Sequence, residues 1–322
     1  MMSYHTDTFN YSNNSAFHYN ESIPSAVKFW LYLIFLVPSI ICSVFLLCHL
    51  LWKRNLNRAV HNHAIIFFLI ICLIHEITIY PWMLHFYNKE GTWKRTSFFC
   101  TFWLFIDWGL YYTQTILFAW ATIERHILIF HGRWVSTKKK RLLIHYLPHI
   151  ILVLYCLIYY IIVIFFPPCE NIFDTYSLIC IKLCWYASSS LLYTYDTIVH
   201  QILPILIIVG FSIGLLIRIR WQKHRIGQLL KWRKHWKMTL QLLFVSVIYL
   251  IFGLPLTIMS ILYLGGVPLN VTAKFAEYAL FFNYCTIILC PIASIISLPK
   301  LRNERKNMAR SRRQARAVAP IT

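Results

Sequence analysis

Seven long blocks of apolar residues, separated by short polar stretches, limit what this sequence can fold into. Each block has about 20 residues, the length that an α-helix needs to cross the hydrocarbon core of a bilayer. The apolar residues run continuously and do not alternate, which excludes an outer-membrane β-barrel. Only 13% of the 322 residues are charged, against about a quarter in soluble domains. The sequence therefore predicts an all-α integral membrane protein, a seven-transmembrane helix bundle.

The predicted spans divide the chain into a bundle with two tails. We predict an extracellular glycosylated tail at residues 1–28, a seven-transmembrane domain at 29–298 and a basic cytoplasmic tail at 299–322. Residues 1–27 lack the pattern of a cleavable signal peptide, so the first span is expected to act as the targeting signal. The spans are predicted near Phe29–Trp52, Ala64–Phe86, Cys100–Ile129, Leu142–Phe166, Ile198–Ile219, Met238–Leu264 and Ala276–Leu298.

The distribution of positive charge predicts the orientation. Of the 31 Lys and Arg residues, 25 lie in the first, third and fifth connections and in the carboxyl-terminal tail. Short cytoplasmic loops accumulate these residues, so the amino terminus is predicted outside and the carboxyl terminus inside, in the plasma membrane. The net charge of +20 then reflects topology, and no nucleic-acid partner is expected. Four N-x-S/T glycosylation patterns fall on the predicted outer side: Asn10, Asn13, Asn20 and Asn270.

Cysteines on the predicted outer side indicate disulfide bonds. Cys100 begins the third span, while Cys169, Cys180 and Cys184 lie between the fourth and fifth. Four thiols in an oxidising compartment allow two disulfides. A bridge from Cys100 to the later segment would hold that segment over the mouth of the bundle. We favour Cys100 with either Cys180 or Cys184, and Cys169 with the other.

An acid and a base are adjacent at the inner end of the third span, at Glu124 and Arg125. Ionisable residues inside a membrane are costly and often functional. The two charges can partly neutralise each other until a partner competes for the arginine, which would make a switch. The alternative is that Arg125 anchors the helix end among lipid headgroups.

The spacing of several residues resembles that of the rhodopsin-like G-protein-coupled receptors over nearly the whole chain. Cys100 and Arg125 are 25 residues apart, like the cysteine and the arginine of that family's third helix. Glu124-Arg125-His126 resembles the family's Asp/Glu-Arg-Tyr switch. Prolines stand where the family has its helix hinges, at Pro204, Pro255 and Pro291. The resemblance implies a receptor whose partner is a heterotrimeric G protein.

Two motifs depart from the family. The Cys-Trp-x-Pro of its sixth helix is Phe252-Gly253-Leu254-Pro255 here, without the tryptophan. The Asn-Pro-x-x-Tyr of its seventh helix is replaced by the segment Cys290–Ser294, which lacks both the amide and the phenol. These departures imply a divergent lineage or an altered activation.

Asp107 is the main candidate for binding a ligand. It follows Cys100 by seven residues, about two helical turns below the outer rim. Amine receptors of the resembling family place there the acid that pairs with a protonated amine, and Tyr284 matches a tyrosine that holds this acid. An amine or a small basic peptide is the implied ligand. The alternative is that Asp107 is bonded internally and never meets a ligand. Further pocket candidates are Trp108, Tyr111, Asp196 and His200.

The stretch 218–237 carries eight cations, which suits either an acidic face of a G protein or anionic lipid of the bilayer.

Other functional classes find less support. No phosphate loop, H-E-x-x-H or G-x-S-x-G motif occurs, so no enzyme and no cofactor are predicted. His61 and His63 lack a third ligand, so no metal site is predicted. A transporter or channel is the alternative, but only nine glycines and no repeat are present.

Overall fold

The computed structural model describes residues 22–52, 60–89, 93–130, 137–174, 177–185, 190–225, 243–267 and 269–297. Within these ranges the chain forms seven long helices and a short two-stranded hairpin. The predicted glycosylation sites Asn10, Asn13 and Asn20, the tail 299–322 and most of the basic stretch 218–237 lie outside the described residues. Asn270 is the second residue of the last helix, and its side chain also lies outside them.

Three helices are α-helical throughout: α1 (Ser25–Trp52), α2 (Val60–Asn88) and α7 (Leu269–Ser297). The other four each contain one wider, π-helical segment. Helix α3 covers residues 97–130 and has its π segment at Phe105–Gly109. Helix α4 covers 138–165, with its π segment at Leu142–Tyr146. In α5, 190–225, the segment is Thr197–Ile202, and in α6, 243–264, it is Tyr249–Gly253.

Prolines account for three of these four π segments. The segments in α4, α5 and α6 each end two residues before a proline, at Pro148, Pro204 and Pro255. A proline has no N–H to donate, and its ring clashes with the carbonyl four residues earlier. Widening the preceding turn relieves that clash. Pro291, the third predicted hinge, lies inside the uninterrupted helix α7, so proline alone does not produce the distortion.

Six helices are long and apolar enough to cross a membrane, namely α1, α2, α4, α5, α6 and α7. The protein is therefore membrane-embedded. Helix α3 is not among the six, since tyrosine, tryptophan, threonine and glutamine occupy much of its middle. Residues 111–119 of α3 are all buried, and this helix contacts α2, α4 and α5. A helix surrounded by protein does not need an apolar surface of its own.

Two helices begin about two full turns earlier than predicted. Helix α5 starts at Ser190 and α7 at Leu269, eight and seven residues before the predicted starts at Ile198 and Ala276. The added turns carry polar residues, including the buried Asp196 in α5 and Thr272 in α7. A search for apolar blocks misses such turns because these polar groups are satisfied inside the bundle and not by water.

Two clusters of buried side chains fill the bundle, one toward each end. We call one end the disulfide end, because its cluster includes Cys100 and Cys180 together with Trp103 and Tyr160. The opposite end, which includes Arg125, is called the arginine end, and its cluster is built on Leu69, Phe118 and Tyr249 among others. Each end contains ionisable side chains, and these form the candidate functional sites.

Candidate functional site

Two disulfides close the disulfide end. Cys100 at the start of α3 is bonded to Cys180, and Cys169 to Cys184, with Cα atoms 5.5 Å and 5.8 Å apart. One of the two predicted pairings is thus confirmed. The segment between α4 and α5 also forms the antiparallel strands β1 (Ile172–Phe173) and β2 (Ile181–Lys182). The Cys100–Cys180 bridge fixes this hairpin to α3.

Arg95 ties the connection between α2 and α3 to the same segment. Its guanidinium donates to the carbonyls of Leu178 at 2.7 Å and Ser177 at 2.6 Å. It also lies over the Phe86 and Trp103 rings, at 5.0 Å and 5.4 Å from their centroids. Burial lowers the pKa of Arg95 from its usual value, while the nearby Asp174 acts in the opposite direction. The residue is therefore a buried anchor.

Asp107 is buried, and both of its carboxylate oxygens are engaged. Oδ1 lies 3.0 Å from Nε2 of His75 in α2, and Oδ2 accepts from the Tyr284 hydroxyl of α7 at 2.6 Å. Tyr80 donates to the backbone carbonyl of Tyr284 at 2.6 Å. Asp107 is 3% exposed and His75 is fully buried. The predicted contact between Asp107 and Tyr284 is present, and His75 is a partner that the sequence did not reveal.

Asp196 belongs to a second cluster, between α4 and α5. Its Oδ1 accepts from the Tyr160 hydroxyl at 3.0 Å and lies 3.0 Å from Nδ1 of His200, one turn later in α5. Nε2 of His200 lies 3.0 Å from the Tyr155 hydroxyl. The Tyr155 hydroxyl in turn lies 2.8 Å from the hydroxyl of Tyr195. A buried carboxylate is thus surrounded by phenols and an imidazole.

The six predicted pocket residues fall into these two clusters and the aromatic layer between them. Tyr112 lies in that layer, where its ring stacks on Tyr160 at 5.5 Å and meets Tyr111 edge-on at 5.2 Å. The Tyr111 hydroxyl donates to Asn283 Oδ1 at 2.5 Å. Trp108 is half-buried and meets Tyr112 edge-on at 6.4 Å. Asp107 and Asp196 therefore have separate sets of partners.

At the arginine end, Glu124 of α3 faces two histidines of α4. Its Oε1 lies 2.5 Å from Nδ1 of His145, and its Oε2 lies 3.9 Å from Nε2 of His149. Nε2 of His145 lies 3.3 Å from Nδ1 of His63 in α2. Glu124, His145 and His149 are 3%, 1% and 4% exposed. Three helices therefore meet around one carboxylate.

Arg125 and His126 contact other parts of the bundle than Glu124 does. Arg125 is 5% exposed and lines a pocket whose other walls include Phe68 of α2, Val245 of α6 and Ser294 of α7. Nε2 of His126 lies 3.1 Å from Arg218 Nη1 of α5. The three predicted switch residues thus contact different helices, with Glu124 on α4, Arg125 at the pocket and His126 on α5.

The sequence did carry a signal for the histidines that were missed. His145 and His149 are four residues apart, so they lie on one face of a helix. Among the described residues, Glu124, His145 and His149 form a group whose donor atoms all lie within 4.8 Å of one another. The spacing from His145 to His149 is the one that places two imidazoles on the same side of a metal or a carboxylate. The third member, Glu124, lies on another helix, so the spacing of the two histidines alone does not reveal it.

Comparison with known proteins leaves the chain without an assigned family. No family model matches it, and no curated protein matches it.

Proposed function

We propose that the protein is a divergent receptor of the rhodopsin-like G-protein-coupled type. In this proposal all seven helices cross the plasma membrane, the amino terminus is outside and the carboxyl terminus inside. The disulfide end then faces the extracellular space, where an amine or a small peptide binds. The arginine end faces the cytosol and activates a heterotrimeric G protein.

The observation that carries the proposal is the layout of α3. One end of this helix is held by the Cys100–Cys180 bridge, with Asp107 two turns further on, and the other end presents Arg125 to a pocket. The 18 residues from Asp107 to Arg125 span about 27 Å at the rise of an α-helix, close to the thickness of the hydrocarbon core. A single buried helix thus joins Asp107, the candidate ligand-binding acid, to the buried Arg125. This supports α3 as the seventh membrane-spanning helix.

The proposed mechanism is a shift between two populations of the bundle. A cationic ligand would compete with His75 and Tyr284 for Asp107, which is 3% exposed and already bonded to both. Such a ligand shifts the equilibrium only as far as it prefers one state. The π segment before Pro255 weakens the backbone ladder of α6. Helix α6 would swing there and open the pocket that Arg125 and Val245 line.

The main test measures nucleotide exchange on heterotrimeric G proteins by the full-length protein in lipid nanodiscs. Biogenic amines and short basic peptides are screened as agonists. We expect Arg125→Ala to abolish exchange while the protein stays folded and reaches the cell surface. Lys94→Ala is the control, because Lys94 is an exposed cation between α2 and α3 at the disulfide end, and it should retain at least about half of the activity.

Three results would contradict this proposal. Normal signalling by Arg125→Ala would remove the switch role. Both termini accessible from the same side of an intact cell would remove the seven-crossing topology. Ion or solute flux in proteoliposomes, without nucleotide exchange for any ligand, would favour the transporter or channel alternative.

The role of Asp107 has its own test with an agonist from that screen. Asp107→Asn removes the negative charge but keeps the shape and one carbonyl oxygen for Tyr284. We expect a cationic agonist to lose at least about tenfold in potency, which corresponds to about 1.4 kcal/mol. Potency is read from the nucleotide-exchange curve. Unchanged potency would assign Asp107 to the internal contacts with His75 and Tyr284 alone.

A further inference from the structure

We propose that Glu124, His145 and His149 form a binding site for a transition-metal ion of the Zn²⁺ type between α3 and α4. Each residue offers one donor atom, and these atoms all lie within 4.8 Å of one another. None of the three residues is more than 4% exposed. Glu124 is also one of the three predicted switch residues, but this inference rests on its contacts with His145 and His149 and does not depend on the receptor proposal.

The first observation that favours a metal concerns the two ring nitrogens of His149. Its Nδ1 lies 2.5 Å from the backbone carbonyl oxygen of His145, so Nδ1 carries the hydrogen and donates it. The lone pair of the neutral ring is then on Nε2, which is buried and has no hydrogen-bond partner. Glu124 Oε2 lies 3.9 Å from this nitrogen. Burying two electron-rich atoms this close together is costly, and a cation bound between them would remove that cost.

His145 is held in a matching way. Its Nε2 lies 3.3 Å from Nδ1 of His63. If Nε2 carries the hydrogen and donates it to His63, the lone pair of His145 lies on Nδ1, toward Glu124. Histidines that bind metals typically donate their other ring N–H to a carbonyl or another acceptor, which fixes the tautomer and the ring orientation. His145 and His149 both have such an acceptor, in His63 and in the His145 carbonyl.

The distances require only a small adjustment. In tetrahedral zinc sites the metal lies 2.0–2.2 Å from nitrogen and oxygen ligands, which puts neighbouring ligand atoms about 3.4 Å apart. The pair His145–Glu124 is closer than this, at 2.5 Å, and the pair His149–Glu124 is wider, at 3.9 Å. The first distance is to Oε1 and the second to Oε2, so a rotation of the carboxylate that brings one oxygen to about 3.4 Å from both nitrogens would complete the geometry. The metal would replace the hydrogen that bridges His145 and Glu124 in the metal-free protein.

The donor set selects the class of ion. Two imidazoles and one carboxylate are the ligands of many zinc sites that keep a fourth position open. Imidazole nitrogen suits Zn²⁺, Co²⁺, Ni²⁺ and Cu²⁺, whereas Mg²⁺ and Ca²⁺ prefer oxygen ligands. Once bound, the ion would link α3 to α4 through the residue next to Arg125. The site therefore offers a way to fix the arginine end of α3 by a metal ion.

The test measures metal binding by the purified full-length protein in nanodiscs, after treatment with a chelator. Co²⁺ is the probe, because its visible absorption reports tetrahedral ligation, and Zn²⁺ should displace it while Mg²⁺ should not. The variant His149→Phe keeps an aromatic ring against Phe67, on which His149 stacks at 6.5 Å. We expect it to weaken Co²⁺ binding by at least about 100-fold. His49→Phe is the matched control, since His49 stacks in the same way on Phe45 at 6.1 Å, and it should bind Co²⁺ as the unmodified protein does.

A second measurement covers the case in which a variant folds poorly. Zn²⁺ at micromolar concentration should raise the thermal unfolding temperature of the unmodified protein, because an ion that binds only the folded state stabilises it. The rise should persist in His49→Phe and disappear in Glu124→Gln. The absence of a saturable tetrahedral Co²⁺ band in the unmodified protein would overturn the proposal. An equal affinity in His149→Phe would overturn it as well, whatever the outcome of the nucleotide-exchange test.

Discussion

The two ends of the bundle satisfy their buried charges in different ways. At the disulfide end, two covalent bridges and the anchor Arg95 surround an acid, Asp107, whose two oxygens have partners on α2 and α7. At the arginine end, the acid Glu124 lies between two histidines of α4, while its neighbour Arg125 lines a pocket. Covalent links hold the first arrangement, whereas the second depends on side chains that can change partners.

The difference suggests that the two ends of α3 have different roles. An end held by bridges and closed hydrogen bonds keeps its geometry and can recognise a ligand by shape and charge. An end held by imidazoles can gain or lose a proton or a metal ion, and a pocket beside it can open. The following variants test this contrast, from the largest expected effect to the smallest.

Removal of the Cys100–Cys180 bridge should have the largest effect. This bridge closes a separation of 80 residues, while Cys169–Cys184 closes only 15. The chain-entropy account assigns about 4.5 kcal/mol to the longer loop and about 3 kcal/mol to the shorter. Denaturant titration in mixed micelles should therefore show a larger loss for Cys100→Ser/Cys180→Ser than for Cys169→Ser/Cys184→Ser. The reverse order would mean that the hairpin, and not its attachment to α3, stabilises this end.

Asp107→Ala should have the next largest effect, about 3 kcal/mol of unfolding free energy. The substitution leaves His75 and the Tyr284 hydroxyl buried without their acceptor, and breaking a buried pair on one side is costly. Glu170→Ala is the control, because Glu170 is an exposed acid near the same end, and it should stay within about 0.5 kcal/mol. A loss below about 1 kcal/mol for Asp107→Ala would mean that the hydrogen bonds around it contribute little to the rigidity of this end.

A smaller effect is expected at the start of α1. Glu277 of α7 accepts from the backbone N–H groups of Ser22 and Ile23 and pairs with Lys28 Nζ at 2.7 Å. Glu277→Gln keeps an acceptor but loses the charge, so about 1 kcal/mol should be lost at low salt. The loss should shrink as salt is added, since this pair is partly accessible to solvent. A salt-independent loss would indicate that the contact is purely a matter of packing.

The sequence predicted the helices well where apolar residues are continuous and less well where they are not. The π segments before Pro204 and Pro255 follow from the missing N–H and could have been expected from those prolines. The early start of α7 could not, because Asn270 and Lys274, which precede the apolar block, are typical of a loop. Helix α3 was predicted as an apolar block like the others, although its composition does not meet the criterion of length and hydropathy that the other six helices meet.

The sequence predicted only some of the contacts at the candidate sites. The contact of Asp107 with Tyr284 was implied by the resemblance to amine receptors, in which both positions are counted from residues that match Cys100 and Pro291. The partners His75 and His145 had no such reference point. Which side of a neighbouring helix faces a given acid depends on helix rotation, and that rotation is set by packing across the whole bundle.

The smallest effect on stability is expected from Ser212→Ala, yet this variant tests the contrast most directly. The hydroxyls of Ser212 in α5 and Ser246 in α6 lie 2.7 Å apart and are buried at the arginine end. Hydrogen bonds between membrane helices contribute about 0.6 kcal/mol on average, so unfolding should barely change. In the proposed activation, however, α5 and α6 must part near this contact. Loss of 0.6 kcal/mol from the closed state alone would raise basal nucleotide exchange by about threefold.

Ser260→Ala is the control for this variant. It removes the hydrogen bond of 2.9 Å from Ser260 to Gln201, which also joins α6 to α5 but lies on the other side of Pro255. This variant should leave basal exchange unchanged. Equal effects of the two serine variants would show that both ends move together, and the contrast between a fixed and an adaptable end would then be wrong.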